Sequence, residues 1–120
     1  MGEAIMKEEK IDLIEKFKLY AIDKIEIKGE SFDKEVKGKI FIVAEKSKVE
    51  KIINNIKFVN KSSLCDCRPR FKILFYNQEQ IVLDLGFQNY ENHYYLRYRN
   101  DEQFIPSKDL FDYLNNIVTN

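Results

Sequence analysis

Apolar residues in this chain recur at two different periods, and the switches between them divide it into elements. From Lys7 to Tyr20, the residues Ile11, Leu13, Ile14 and Phe17 fall at helical spacing with Glu and Lys between them, which predicts an amphipathic helix. Ile22, Ile25 and Ile27 then sit beside Lys24, Glu26 and Lys28 up to Gly29, moving towards the two-residue period of a half-buried strand. Lys37 to Ala44 carries the apolar run Ile40-Phe41-Ile42-Val43 and predicts a second strand, paired with the first across the polar loop Glu30 to Glu35. Val49, Ile52, Ile53 and Ile56 form a stripe on a second helix, for which Ser47 and Glu50 fit a capping box. Asn60-Lys61-Ser62-Ser63 is expected to break the chain after it.

The second half reads mostly as strand. Phe71 to Tyr76 and Ile81 to Phe87 flank the polar connector Asn77 to Gln80 and predict a hairpin; His93 to Arg99 follows through Asn89 to Asn92. Pro106-Ser107 then precedes Leu110, Phe111, Leu114, Ile117 and Val118, the apolar face of a third helix with Ser107 as its N-cap and Asp109 in its first turn. The expected order is α-β-β-α-β-β-β-α. This is an α+β class fold in one domain spanning residues 1–120, a mostly antiparallel sheet of about five strands with helices packed on one face.

Composition narrows the function classes. Twenty basic residues balance twenty acidic ones, so no global field draws the protein to nucleic acid or to an anionic membrane. Nucleic acid is therefore not the expected partner. No apolar run reaches the roughly 18 residues of a membrane span, and the first ten residues lack the hydrophobic core of a signal peptide. A cytoplasmic location is expected, with Met1 and Met6 both available as the natural start. The glycines, Gly2, Gly29, Gly38 and Gly86, are isolated, which excludes a glycine-rich phosphate loop.

Candidate chemistry concentrates in Cys65-Asp66-Cys67-Arg68-Pro69-Arg70. On an extended backbone, residues two apart face the same side, so two soft ligands and two guanidinium groups are presented together. A bridge between neighbours on a strand strains the backbone, so reduced thiols are expected. Cys65 and Cys67 can hold a soft metal such as Zn(II) or Cu(I), with the single histidine, His93, as a third ligand if the fold brings it close. They also suit a redox pair, since Arg68 beside Cys67 favours a thiolate. The competing reading is a pair of small buried side chains, and neither a metal nor a cofactor is required by the sequence.

A second constellation is the Arg/Tyr patch. All four arginines, Arg68, Arg70, Arg97 and Arg99, lie in the second half, where Tyr76, Tyr90, Tyr94, Tyr95 and Tyr98 also cluster. Strict alternation sends Tyr94, Leu96 and Tyr98 to the helices and leaves His93, Tyr95, Arg97 and Arg99 on the open face. Guanidinium and phenol groups in alternation suit a protein hot spot, a phosphate or a base. The bland alternative pairs the arginines with Asp66, Asp84, Asp101 or Glu102. With one histidine and no phosphate loop, the reading is a small non-catalytic protein-binding module, such as an immunity- or antitoxin-type inhibitor, with Arg68, Arg70, His93, Tyr95, Arg97 and Arg99 as its binding residues. The rival readings are a metal- or redox-sensing domain built on Cys65 and Cys67, and a small-ligand or nucleic-acid binder using the Arg/Tyr patch.

Overall fold

The computed structural model describes residues 10–57 and 59–119. The choice between Met1 and Met6, the pair Glu8-Glu9 and the start of the first expected helix lie outside these residues. The strands are β1 (Lys10–Ile11), β2 (Lys24–Gly29), β3 (Ile40–Val43), β4 (Val59–Ser62), β5 (Phe71–Asn77), β6 (Gln80–Tyr90), β7 (His93–Tyr98) and β8 (Glu102–Ile105). They form one antiparallel sheet in the order β1-β4-β8-β7-β6-β5-β2-β3. The helices are α1 (Leu13–Phe17), α2 (Lys46–Asn55) and α3 (Lys108–Thr119). Among the described residues, no helix is long and apolar enough to cross a membrane.

The α+β class holds, but the sheet has eight strands where about five were expected, and the element order differs. β1 precedes the first helix, β4 follows the second, and β8 precedes the third. Each extra strand is short or polar, so neither period of hydrophobicity marks it. β4, Val-Asn-Lys-Ser, begins the segment that reads locally as a helix breaker. It becomes a strand because β8 and β1 supply backbone partners on its two edges.

Helix boundaries shift for identifiable reasons. Asp12 caps α1 by accepting from the N–H groups of Ile14 and Glu15, and Lys18 ends the helix in a left-handed conformation, so it is one short turn rather than the span to Tyr20. α2 starts at Lys46, one residue before Ser47, and the capping box does not form. The Ser47 hydroxyl instead donates to the Glu45 carboxylate at 3.2 Å. Ser107 does cap α3, accepting from the Leu110 N–H.

The core lies between the helices and one face of the sheet. Phe71 opposes Phe87, Phe87 opposes Leu96, and Leu96 opposes Phe104, an apolar row across four neighbouring strands. Ile27, Ile73 and Leu85 form a second row. Leu13, Val49, Ile52, Leu110, Phe111 and Leu114 from the helices join the same buried cluster. Each such side chain contributes roughly 1.5–3 kcal/mol by leaving water. Tyr94 stacks on Phe111 at 3.9 Å between ring centroids and Tyr98 packs on Phe17 at 4.5 Å, so β7 turns these residues towards the helices and Tyr95 and Arg97 the other way.

At the end of β2, the backbone of Gly29 runs so close to Val36 that a Cβ would collide with the Val36 carbonyl. Gly29→Ala is expected to lower the unfolding free energy by about 1–3 kcal/mol, the usual range for overpacking. Urea denaturation checks it: the midpoint falls while the slope is kept.

Candidate thiol and imidazole site

Between β4 and β5, residues 63–70 leave regular structure and run as a strap across the sheet face opposite the helices. What holds the strap there is polar. Arg97, near the end of β7, donates from Nη1 to the carbonyl of Cys67 at 2.8 Å and from Nη2 to the carbonyl of Cys65 at 3.0 Å. Nη2 also lies 2.7 Å from Gln103 Oε1 on β8, its direct register partner, and 3.3 Å from Cys65 Sγ. The Tyr95 hydroxyl donates to the Cys67 carbonyl at 3.1 Å. Burial pushes the Tyr95 phenol up, with Arg97 partly opposing, so Tyr95 acts as a neutral donor.

Further along, the Arg70 N–H donates to Gln88 Oε1, and Arg70 accepts from the Glu30 N–H through its carbonyl. Pro69 lies flat on Gly86, where any side chain would strike the proline ring. Gly86 is the register partner of Arg97, so the gap that admits Pro69 is beside the residue that anchors the strap.

This anchoring turns Cys65 and Cys67 towards His93. Their sulfurs are joined in a disulfide, and His93 Nε2 lies 3.5 Å from Cys65 Sγ and 3.2 Å from Cys67 Sγ. The expectation of separate reduced thiols is thus corrected. It assumed an extended backbone, on which residues two apart are about 6.6 Å apart with parallel side chains. Here the strap is irregular, the two Cα atoms are 5.4 Å apart, and the side chains converge. The His93 ring, exposed on one side, meets the Tyr95 ring edge-on at 5.4 Å. The three ligand atoms form the one cluster of metal-ligating type found among the described residues, all within 4.8 Å of one another.

The Arg/Tyr patch is distributed differently from the alternation reading. Tyr95 and Arg97 do leave the helical face, but the strap covers them: Tyr95 is 0% exposed and Arg97 8%. They are structural anchors, not open docking groups. Arg70 is tied to Asp33 at 2.8 Å, Glu35 at 2.9 Å and Asn89 at 3.3 Å rather than to the acids nearer in sequence. Arg68 and Arg99 remain exposed, their guanidinium carbons 4.0 Å from the Phe32 ring centre and 4.8 Å from that of Tyr98. Sequence reasoning missed Gln103, Gln88 and Asp33, whose roles depend on strand register and loop placement and leave no local pattern.

Comparison of the chain with protein-family models, with curated proteins and with solved structures gives no match. The assignment of the site therefore rests on its geometry.

Asp33 has a carboxyl held below its ordinary range, chiefly by the hydrogen bond from Arg70, against an opposing effect of burial and with help from the Glu35 N–H. A carboxyl lowered by folding stabilises the protein above its unfolded value of about 3.9, and that stabilisation is lost as pH falls through the folded value. Asp33→Asn is expected to flatten the fall in stability as pH drops below about 4. Denaturant midpoints across that range, compared with the parent protein, test the pair.

Proposed function

We propose that the protein is a redox-responsive, non-catalytic sensing and binding domain whose working group is the Cys65–Cys67 pair. The observation that carries this reading is the convergence on one surface point of both sulfurs, the His93 imidazole at 3.2 and 3.5 Å, and the Arg97 guanidinium donating to Cys65 Sγ. Cation and imidazole beside sulfur favour the thiolate, the form that attacks and forms disulfides.

The bridge is poorly suited to a structural task. It closes a loop of only three residues, and the chain-entropy argument gives such a link on the order of 1.6 kcal/mol, about half of what a 15-residue loop gains. The eight-stranded sheet and its core already fix the fold. Both cysteines are partly exposed, so a small thiol reaches them. Reduction breaks the S–S bond; an external dithiol supplies the two electrons and two protons and leaves as its own disulfide. In a reducing compartment such as the cytoplasm, the dithiol is the resting form and the bridge is the signal.

The output is a surface. Leu64, Asp66 and Arg68 on the strap are exposed, and Arg68 and Arg99 line a cleft of about 270 Å³ with Lys72, Asp84 and Asn100. A protein partner reading that cleft, in the manner of an inhibitor and its target, would meet chiefly the exposed Arg68 and Arg99, with the largely buried Arg97 also in its lining and Tyr95 outside it. Opening the bridge separates the two sulfurs beside that surface and alters what the partner meets, while Arg97 keeps the strap backbone in place.

Titration in defined dithiol/disulfide buffers is expected to show one reversible two-electron transition. Iodoacetamide then labels two cysteines per chain after reduction and none before. The change in unfolding free energy across the transition stays below about 2 kcal/mol. Thiols that stay free under mild oxidant, or a fold lost on reduction, would refute the reading.

A further inference from the structure

We infer that, once the bridge is reduced, Cys65, Cys67 and His93 form a surface site for one Zn(II) ion, leaving a fourth position open to water or to a partner's ligand. The inference rests on the redox reading only in using the same two thiols in their free state.

The distances support it. With Zn–S bonds of about 2.3 Å, Zn–N bonds of about 2.0–2.1 Å and tetrahedral angles, a sulfur and a nitrogen on the same ion lie about 3.6 Å apart. His93 Nε2 already stands 3.5 Å and 3.2 Å from the two sulfurs. Only the sulfurs must part, to about 3.8 Å on the same geometry, and side-chain rotation on the irregular strap provides that. The backbone need not move, because the carbonyls of both cysteines are held by Arg97 whatever the state of the sulfurs.

The donor set fits the ion. Two thiolates and an imidazole select thiophilic cations over Mg(II) or Ca(II), which take oxygen ligands. Two thiolates neutralise Zn(II), so the bound site adds no charge beside Arg97. The N–H that Arg97 directs at Cys65 Sγ acts as outer-sphere partners of metal thiolates do, orienting the sulfur and withdrawing some of its charge. Gln103 Oε1, 3.7 Å from Cys65 Sγ, accepts from Arg97 Nη2 and keeps the guanidinium aligned. The ring contact with Tyr95 holds the imidazole plane. Binding converts Zn(II) and two thiols into a dithiolate complex and releases their protons to solvent.

Zinc alone is the probe, titrated anaerobically into fully reduced protein against a chelating dye, with Co(II) as the absorbing substitute. One ion per chain is expected, with sulfur-to-cobalt charge-transfer absorption. Cys67→Ser and His93→Ala should each weaken zinc binding tenfold or more, roughly the scale on which even outer-sphere changes act. His93 is exposed, so its variant keeps the fold, which thermal unfolding verifies. The bridged protein should bind no zinc. Equal affinity in the bridged and reduced forms would assign the metal to surface carboxylates, and equal affinity in His93→Ala and the parent would remove the imidazole from its ligands; either result overturns the site. If the bridge titrates reversibly but reduced protein takes no zinc, the site falls and the redox reading stands. If zinc binds as described but no oxidant closes the bridge, the site stands and the redox reading falls.

Discussion

A buried guanidinium on a strand needs its hydrogen bonds answered, and in this protein both Nη groups of Arg97 find the answers, in a segment thirty residues earlier and in Gln103 on the neighbouring strand, while Nε has no hydrogen-bond partner among the described residues. An uncompensated charge at that depth costs several kcal/mol, so the carbonyls of Cys65 and Cys67 and the amide of Gln103 are held as tightly as Arg97 is. Everything distinctive about the sheet's second face follows. The strap crosses where Arg97 reaches it, Gly86 leaves room for Pro69, Tyr95 adds a second donor to the Cys67 carbonyl, and both sulfurs are carried to the His93 ring. A rigid scaffold thus presents soft donor atoms on an irregular, partly exposed segment, which is where chemistry and recognition are generally placed.

The fold was legible where hydrophobic burial dominates. Alternation in Ile25–Ile27, the run Phe71–Tyr76 and the stripe Leu110, Phe111, Leu114 each answer to one buried face, and such faces leave a period behind. β1, β4 and β8 were not legible because each puts only one or two apolar side chains, such as Val59 and Phe104, into the core, too few to leave a period, and relies otherwise on backbone pairing, to which any non-proline residue contributes equally. The failed capping box at Ser47 is of the same kind: a two-residue shift in the helix start made Glu45 the cap residue and moved the serine into the first turn.

The site was legible as residue types, not as an arrangement. Cys65, Cys67 and His93 stand out by rarity and by the chemistry of sulfur and imidazole, and alternation along β7 correctly separates Tyr95 and Arg97 from Tyr94 and Tyr98. What the sequence could not reveal is that the cysteine segment itself folds over that face, turning an open Arg/Tyr patch into a buried anchor. The exposed arginines are Arg68 and Arg99, and the signal separating them from Arg97 and Arg70 is tertiary: a facing carbonyl pair for one, Asp33 for the other.

Because the chain has a single histidine, an isotope-labelled imidazole reports the site without ambiguity. The nitrogen resonances of His93, followed by NMR through reduction of the bridge, test most directly whether Arg97 holds the sulfurs against the ring. The account predicts that Nε2 shifts on reduction in the parent protein, and that the response disappears in Arg97→Met while dispersion elsewhere shows an intact sheet. A His93 signal indifferent to the bridge, or one that responds equally without the guanidinium, would contradict it.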